Sequence, residues 1–516
     1  MPRKNETDDP PSGLRPWHWF VLSAAAPLVH CASRLDLDLW HDEIYTVDHF
    51  VSRGPAAIVT DYSLPNNHVF YSLALWPFYL LSDADFVLRL PSFFFTVGTL
   101  IFIFSLAYRY SGVVGAVAST SLLGLNQMFL IHTIQVRGYG LSMFLTACLA
   151  WLALADSNRR RRLLAVPFVG AALLYVMPTN LLVVAPLAAA SLCLCAVRRP
   201  GFGQIAADAA AWAVAGLLAL GCYLPIAVQV RAAAESASPS SWSSLPEIAQ
   251  SFLQPATHDA IWLAPLLVLS LLALGYRRSD GAPRCWSLPI VASAVLVGAF
   301  LLTGLLRISP FERNYCPLLV WLALLGGWLL ADLSQSTQAR ILVGGSAEKA
   351  AVILLVLLSI LFWPQLWTYA ERLRVRRERA DAADQWVANG YYCYYAANYR
   401  PSAVVDYLAV RDFNRAPFGI LYTKPDFLNL WWYFYHSPLA NVRTPDGKVT
   451  VFAILPEPPP WKALAKDCHL SDEDVRAFEL IDDFGFYRLY RTPGLVDVGP
   501  SSGAHSASQS QPSTAQ

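Results

Sequence analysis

Charge is what this chain has least of. Asp, Glu, Lys and Arg make up 15% of its 516 residues, against about 25% in an average soluble domain. An ordinary water-soluble globule is therefore excluded. The net charge is +1, which removes any general electrostatic case for nucleic-acid binding. The nine cysteines show no metal-ligand spacing. Cys193 and Cys195 stand one residue apart inside an apolar run, where thiols are usually buried and inert. No Gly-rich nucleotide loop and no internal repeat is found. The missing repeat argues against a transporter built from paired halves.

What is abundant is apolar. Hydrophobic residues make up 55% of the chain, and the mean hydropathy is +0.39. They concentrate in runs of roughly 16 to 21 residues, close to what crosses ~30 Å of hydrocarbon. The expected class is an α-helical polytopic membrane protein with about eleven spans. These fall near 17–33, 90–108, 113–131, 139–155, 163–178, 181–197, 208–228, 259–276, 287–306, 316–332 and 350–368. Residues 1–16 are polar and precede a run with no obvious small-residue cleavage site. They read as a cytoplasmic tail before an uncleaved first span.

Segment 67–82 is apolar but short, and it contains Pro77. Charge decides its placement, because cytoplasmic loops collect Lys and Arg. If 67–82 crosses, then Arg159-Arg160-Arg161-Arg162, Arg198-Arg199 and Arg277-Arg278 all fall outside. If it lies on the outer interface, all three clusters fall inside, with Arg109, Arg3 and Lys4. The second arrangement is the expectation: a juxtamembrane helix within a first external loop, 34–88. The membrane domain then covers 17–368.

This topology puts a set of polar islands on one face. Asp42-Glu43, Asn66-Asn67-His68, Arg89, Gln135-Val136-Arg137-Gly138-Tyr139, Pro178-Thr179-Asn180 and Glu312-Arg313-Asn314-Tyr315 all lie outside. Loops on the other face are basic and otherwise plain. An outward-opening polar cavity is the economical explanation. Residues 371–379 resist the pattern, with five arginines after the last span. They read as a basic amphipathic helix on outer headgroups, or else as the sign of one more crossing. Beyond them, 369–495 reads as an external soluble α/β domain. Strands are expected at Phe418–Tyr422, Val449–Ile454 and Phe484–Tyr490, and a short helix or strand at Ala403–Tyr407. Residues 496–516 are Ser-, Gln- and Ala-rich and read as disordered.

Several of these residue types suit group transfer at a membrane surface. Two adjacent carboxylates at the mouth of a bundle are costly unless they face water or do chemistry. Asp42 is the candidate general base and Glu43 its support. Arg137 is a candidate for bidentate phosphate binding, since an anchoring arginine prefers the inner side. Arg313 and Arg89 follow by the same argument, with Gln135, Tyr139 and Tyr315 beside them. His68 and Asn67 are candidate contacts for acceptor or sugar. No metal or cofactor is expected.

Taken in order, Trp40-His41-Asp42-Glu43, Asn67-His68, Arg89-Leu90-Pro91-Ser92, Gln135-Val136-Arg137-Gly138-Tyr139 and Arg313-Asn314-Tyr315 resemble glycosyltransferase family 39 of the GT-C fold. That group includes protein O-mannosyltransferases and the aminoarabinose transferases that modify lipid A. The resemblance covers about residues 17–335. It implies an inverting transfer from a polyprenyl-phosphate sugar, with the external Asp as base. The acceptor would be a cell-envelope lipid, glycan or protein, at the outer face of the inner (plasma) membrane. The chain departs from the group's His-Pro-Pro pattern, having Asn66-Asn67-His68-Val69. The competing reading is a transporter or lipid-sugar flippase using the same outward cavity.

Overall fold

The structure, a computed structural model, describes residues 14–37, 39, 41–63, 67–155, 158–197, 201–237, 286–306, 312–334, 346, 349–360, 418–423, 448–456, 459, 461–462, 465, 470–483, 487–493 and 496–497. Contacts divide the chain into two units. One is Met1–Asp36 with Gly54–Leu366, and the other is Leu37–Arg53 with Trp367–Gln516.

The first unit is helical throughout its described residues. Its elements are α1 (Pro16–Ala32), α3 (Gly54–Thr60), α4 (Val69–Leu81), α5 (Asp85–Gly124), α6 (Gln127–His132), α7 (Tyr139–Leu154), α8 (Arg159–Val176), α9 (Leu181–Val197), α10 (Phe202–Tyr223), α11 (Ala227–Ala237), α12 (Ser287–Leu306) and α13 (Cys316–Ser334). The helix α2 (His41–Tyr45) belongs to the second unit. Among the described residues, five helical stretches are long and apolar enough to cross a membrane. They are Asp85–Gly124, Pro178–Val197, Phe202–Ala233, Ser287–Leu306 and Arg313–Ser334. The expected span at 259–276 and the basic stretch 371–379 lie outside the described residues.

The forty residues of α5 form a hairpin. Gly112 has φ 66° and ψ −164°, a region essentially reserved for glycine. The chain turns there and comes back. A Cβ placed on Gly124 would come 3.8 Å from Leu100 and 2.7 Å from Pro27 of α1. In a straight helix those 24 positions would lie about 36 Å apart. The expected spans at 90–108 and 113–131 are thus its two arms, the second running on through α6.

Close approach governs the packing of α5 on α13. A Cβ on Gly327 would meet Gly115 O at 2.7 Å and Ser119 N at 2.8 Å. Ser119, Thr120 and Ser121 are all buried. Small side chains let helix backbones touch where lipid supplies no hydrophobic drive between them. Segment 67–82 holds α4, whose 13 residues span about 20 Å, short of a crossing. Its inner face buries Val69, Tyr71, Ser72 and Leu75, while Leu80 and Leu81 are exposed.

In the second unit, α2 passes into a π-helix, Thr46–Val51. The remaining described part is a sheet of β1 (Phe418–Thr423), β2 (Lys448–Pro456), β3 (Glu479–Asp483), β4 (Tyr487–Arg491) and β5 (Val496–Asp497). Its order is β1-β2-β4-β3, with β5 also paired to β2. The β1–β2 pair is parallel and the other pairings are antiparallel. Two expected strands coincide with β1 and β2, and β4 occupies the end of the third. The edge strand β3 was not anticipated, because Glu479-Leu480-Ile481-Asp482-Asp483 carries acidic residues at both ends. Residues 403–407 lie outside the described residues.

Candidate functional site

Within the first unit, polar groups of α4 and α5 meet the α6–α7 loop, and His68, His132 and Arg137 surround the ring of Tyr139. The α6–α7 loop is the centre. Arg137 N donates to Gln135 O at 2.7 Å, closing a tight turn. Two hydroxyls of α5 pin that turn from below. Ser92 Oγ donates to Gln135 O at 2.7 Å and lies 2.8 Å from Tyr71 OH of α4. Thr96 Oγ1 lies 2.6 Å from Thr133 Oγ1. The loop passes so close to α7 that a Cβ on Gly140 would stand 2.5 Å from Thr133 O.

His68 enters from the N-terminus of α4. Its Nδ1 accepts a hydrogen bond from Gly138 N at 2.7 Å. An acceptor nitrogen carries no proton, so the ring is neutral and Nε2–H is a donor. Burial holds its pKa well below the usual histidine value, and the positive charges of Arg137 and Arg313 push the same way. His132 is lowered to about 4, mainly by burial, against a raising hydrogen bond from Gln135 and with help from Arg313, Arg137 and Arg34. Its Nδ1 lies 3.2 Å from Gln135 Oε1.

These rings and cations share one core. The Tyr139 ring meets His68 edge-on at 5.1 Å and His132 at 5.3 Å. The Arg137 guanidinium carbon stands 5.1 Å from its centroid, a cation–π distance. Arg137 is 3% exposed and Arg89, one turn before Ser92, is 5% exposed. Tyr315, at the end of a 3-10 turn (Glu312–Tyr315), is buried, and Arg313 on the same turn is half-buried. Arg313 acts electrostatically on both histidines although it is 245 residues from His68. The result is a group of buried and half-buried arginines beside two uncharged imidazoles, and such donors suit an anion.

Asn67 is tied into the fold by its side-chain amide. Its Nδ2 donates to Ile58 O at 2.8 Å and Asp61 O at 2.7 Å. Its Oδ1 accepts from Ser72 Oγ at 3.1 Å. Both donors and the acceptor are engaged, so the amide ties the α3–α4 loop and thereby aims His68. Asn66 lies outside the described residues. On the opposite flank, Asn180 donates to Ser142 Oγ at 2.9 Å and Leu173 O at 2.8 Å, tying α7 to α8.

Sequence reasoning missed Arg34 and His132. Arg34 Nη1 donates to Leu130 O at 3.1 Å, and its charge reaches His132. The signal was present: Arg34 is another arginine at the outer end of an expected span. His132 had only its position three residues before Gln135 to mark it.

Asp42 and Glu43 stand in the first turn of α2, in the second unit. Glu43 is 2% exposed and Asp42 half-buried. Thr46 Oγ1 donates to Asp42 O at 3.0 Å. The π-helix that follows stacks Tyr45 on His49 at 4.9 Å, and such π segments are frequent at functional sites. Among the described residues, no group of three His, Cys, Asp or Glu side chains is arranged to hold a metal ion.

No protein-family model and no curated protein sequence matches the chain. Solved structures do. ArnT from Cupriavidus metallidurans bound to undecaprenyl phosphate superposes with a TM-score of 0.54 at 13% identity, covering 94% of this chain and 99% of that one. The same protein in the apo state gives 0.52 at 14% identity, covering 92% and 98%. Identity this low speaks to the fold alone, and the fold of this chain is similar to that of ArnT along nearly its whole length.

Proposed function

We propose that this protein is a polytopic membrane glycosyltransferase. It moves a sugar from a polyprenyl-phosphate donor to a cell-envelope lipid, glycan or protein acceptor at the outer face of the inner membrane. The observation that carries the reading is the grouping of buried Arg137 and neutral His68 at Tyr139, within electrostatic reach of half-buried Arg313. The GT-C architecture supports it, since the ArnT relative holds undecaprenyl phosphate. In this reading about eleven spans carry the site, and the C-terminal α/β domain is external.

The chemistry follows from the groups. The acceptor hydroxyl or amine attacks the anomeric carbon. Its proton passes to Asp42, oriented by Glu43. The bond from the anomeric carbon to the phosphate oxygen breaks, and polyprenyl phosphate leaves with its electrons. A single displacement inverts the anomeric centre. Arg137, Arg313 and Arg89 neutralise the charge that grows on the leaving phosphate. His68 adds a hydrogen bond from Nε2–H without titrating. Tyr139, Gln135 and Tyr315 support these cations, and Asn67 positions His68.

The test is transfer from synthetic polyprenyl-phosphate sugars by purified protein. Asp42→Asn keeps side-chain size but cannot take the proton, and turnover should fall ~10²–10⁴-fold. Arg137→Ala and Arg313→Ala should chiefly weaken donor use, by about 10- to 100-fold for a lost charge-assisted hydrogen bond. Near-normal turnover by Asp42→Asn would remove Asp42 as the base. Failure of the wild type with every lipid-linked sugar would remove the transferase reading.

A further inference from the structure

A polar cavity lies at the end of α7 remote from Tyr139. It has a volume of about 340 Å³ and sits between α8, α9 and α10. Its height in the bundle follows from chain direction. Tyr139 opens α7, whereas the cavity touches Ala153 at that helix's far end and Arg159 at the start of α8. It takes no part in the transfer site.

Its lining is amphipathic. Val166, Leu194 and Trp212 supply apolar wall, while Arg159, Arg162, Asp208 and Ser191 supply polar groups. Asp208 is already engaged. Arg162 Nη2 donates to both of its carboxylate oxygens at 3.1 Å, and Cys195 Sγ–H donates to Oδ2 at 3.2 Å. That leaves the cavity with a surplus of one positive charge, on Arg159. The Arg159 Nη2 donates to Gln204 O at 3.0 Å. Its Nε and the Ser191 hydroxyl are fully buried with no hydrogen-bond partner. Two buried donors without acceptors are costly, and both line this cavity.

The local electrostatics call for an anion as well. Arg159, Arg160, Arg161 and Arg162 fill the first turn of α8 behind the Asn158 cap, with no acidic residue among them. That end of a helix is already positive, so four cations there repel it. Outside the cavity the same helices expose Leu164, Phe168, Phe202 and Leu217, the surface expected against acyl chains. The ligand that answers all three features bears a phosphate at a membrane surface with a hydrocarbon tail beside it.

We propose that this cavity is a binding site for the phosphate headgroup of an anionic phospholipid, in the leaflet opposite the transfer site. Arg159 and Ser191 donate to the phosphate, and Arg162 stays paired with Asp208. The site goes beyond the transferase reading and does not depend on it.

The test is native mass spectrometry of purified full-length protein with phosphatidylglycerol, with phosphatidylcholine, and with phosphatidylglycerol competed by inorganic phosphate. The wild type should retain phosphatidylglycerol preferentially. Arg159→Gln should weaken retention about fivefold, the usual effect of one basic residue at a lipid surface. Ser191→Leu, which fills the cavity, should weaken it at least as much. Arg160→Gln removes the same charge from an exposed neighbour that does not line the cavity, and should change retention less than about twofold, as screened surface charge does. Equal losses for Arg159→Gln and Arg160→Gln would reduce the effect to diffuse charge and overturn the site. Equal retention of phosphatidylcholine would overturn it too. So would displacement by millimolar inorganic phosphate, which would make it a free-anion site.

Discussion

Replacing Gly138 by alanine tests the joint between the α6–α7 loop and His68. Gly138 has φ −68° and ψ −1°, which any residue adopts, so alanine meets no backbone strain. What it meets is packing. The new Cβ would stand 2.5 Å from Val176 Cγ1, 2.6 Å from His68 Nδ1 and 2.9 Å from His68 Cβ. His68 is 3% exposed and has little room to retreat. Overpacking of this kind costs ~1–3 kcal/mol. If His68 yields instead, its 2.7 Å bond to Gly138 N breaks, and a buried N–H without a partner costs ~1–3 kcal/mol. Either route predicts a loss of about 3 kcal/mol. In a His68→Ala background the imidazole is gone and the bond is already lost. The contacts with Val176 Cγ1 and with the Cβ that alanine keeps at position 68 remain, together worth about 1 kcal/mol. The double-mutant cycle should therefore show a coupling of about 2 kcal/mol. Equilibrium unfolding in mixed micelles measures all four corners. If the two substitutions add to within ~0.5 kcal/mol, the close contact between loop and ring is wrong, and with it the fixed donor at Nε2.

Three further outcomes follow from individual groups. Gly112→Ala meets nothing within 4 Å, so its whole effect is backbone strain at φ 66°. It should cost ~1–3 kcal/mol in thermal or denaturant unfolding, and a neutral result would refute the hairpin turn. His132 has a pKa near 4 in the fold, below the ordinary 6.5. The unfolded chain thus binds the proton first, and the His132 contribution to stability is full above pH 6.5 and falls by ~1.4 kcal/mol per pH unit toward pH 4. His132→Gln should flatten the pH dependence of the unfolding midpoint in that window, and His68, lowered in the same direction, should behave alike; an unchanged slope would mean these rings are not buried and neutral. Asn67→Ala removes three hydrogen bonds and should cost about 2–3 kcal/mol. With its amide engaged in the loop, the folded fraction should keep near-normal donor affinity, and a selective affinity loss at unchanged stability would assign it a direct contact.

What could be read from the chain beforehand depended on whether the signal was local. Apolar run length and the break at Arg109-Tyr110-Ser111-Gly112 mark both arms of α5, since a turn needs glycine and a span needs a run of fixed length. Arg89, Arg137 and Arg313 drew attention because a cation expected on the outer side stands out, and the fold buries Arg89 and Arg137. Hydroxyls carry no such signal. Ser92, Thr96, Thr133 and Tyr71 look like ordinary residues of apolar helices until the hairpin brings them together. Asn67 carries a signal that reads two ways. A polar residue beside a candidate histidine suggests a substrate contact, but an amide with two donors and an acceptor is equally good at closing a loop. The deepest surprise is the Asp42-Glu43 stretch. Sequence order assigns it to the first external loop of the membrane domain. Contacts group Leu37–Arg53 with Trp367–Gln516 in one unit, a grouping across more than three hundred residues that no local pattern encodes. If Asp42 is the base, substitutions that loosen the C-terminal sheet should lower turnover while leaving donor binding by Arg137 and His68 intact. Turnover unchanged by such substitutions would refute the dependence of the base on that sheet.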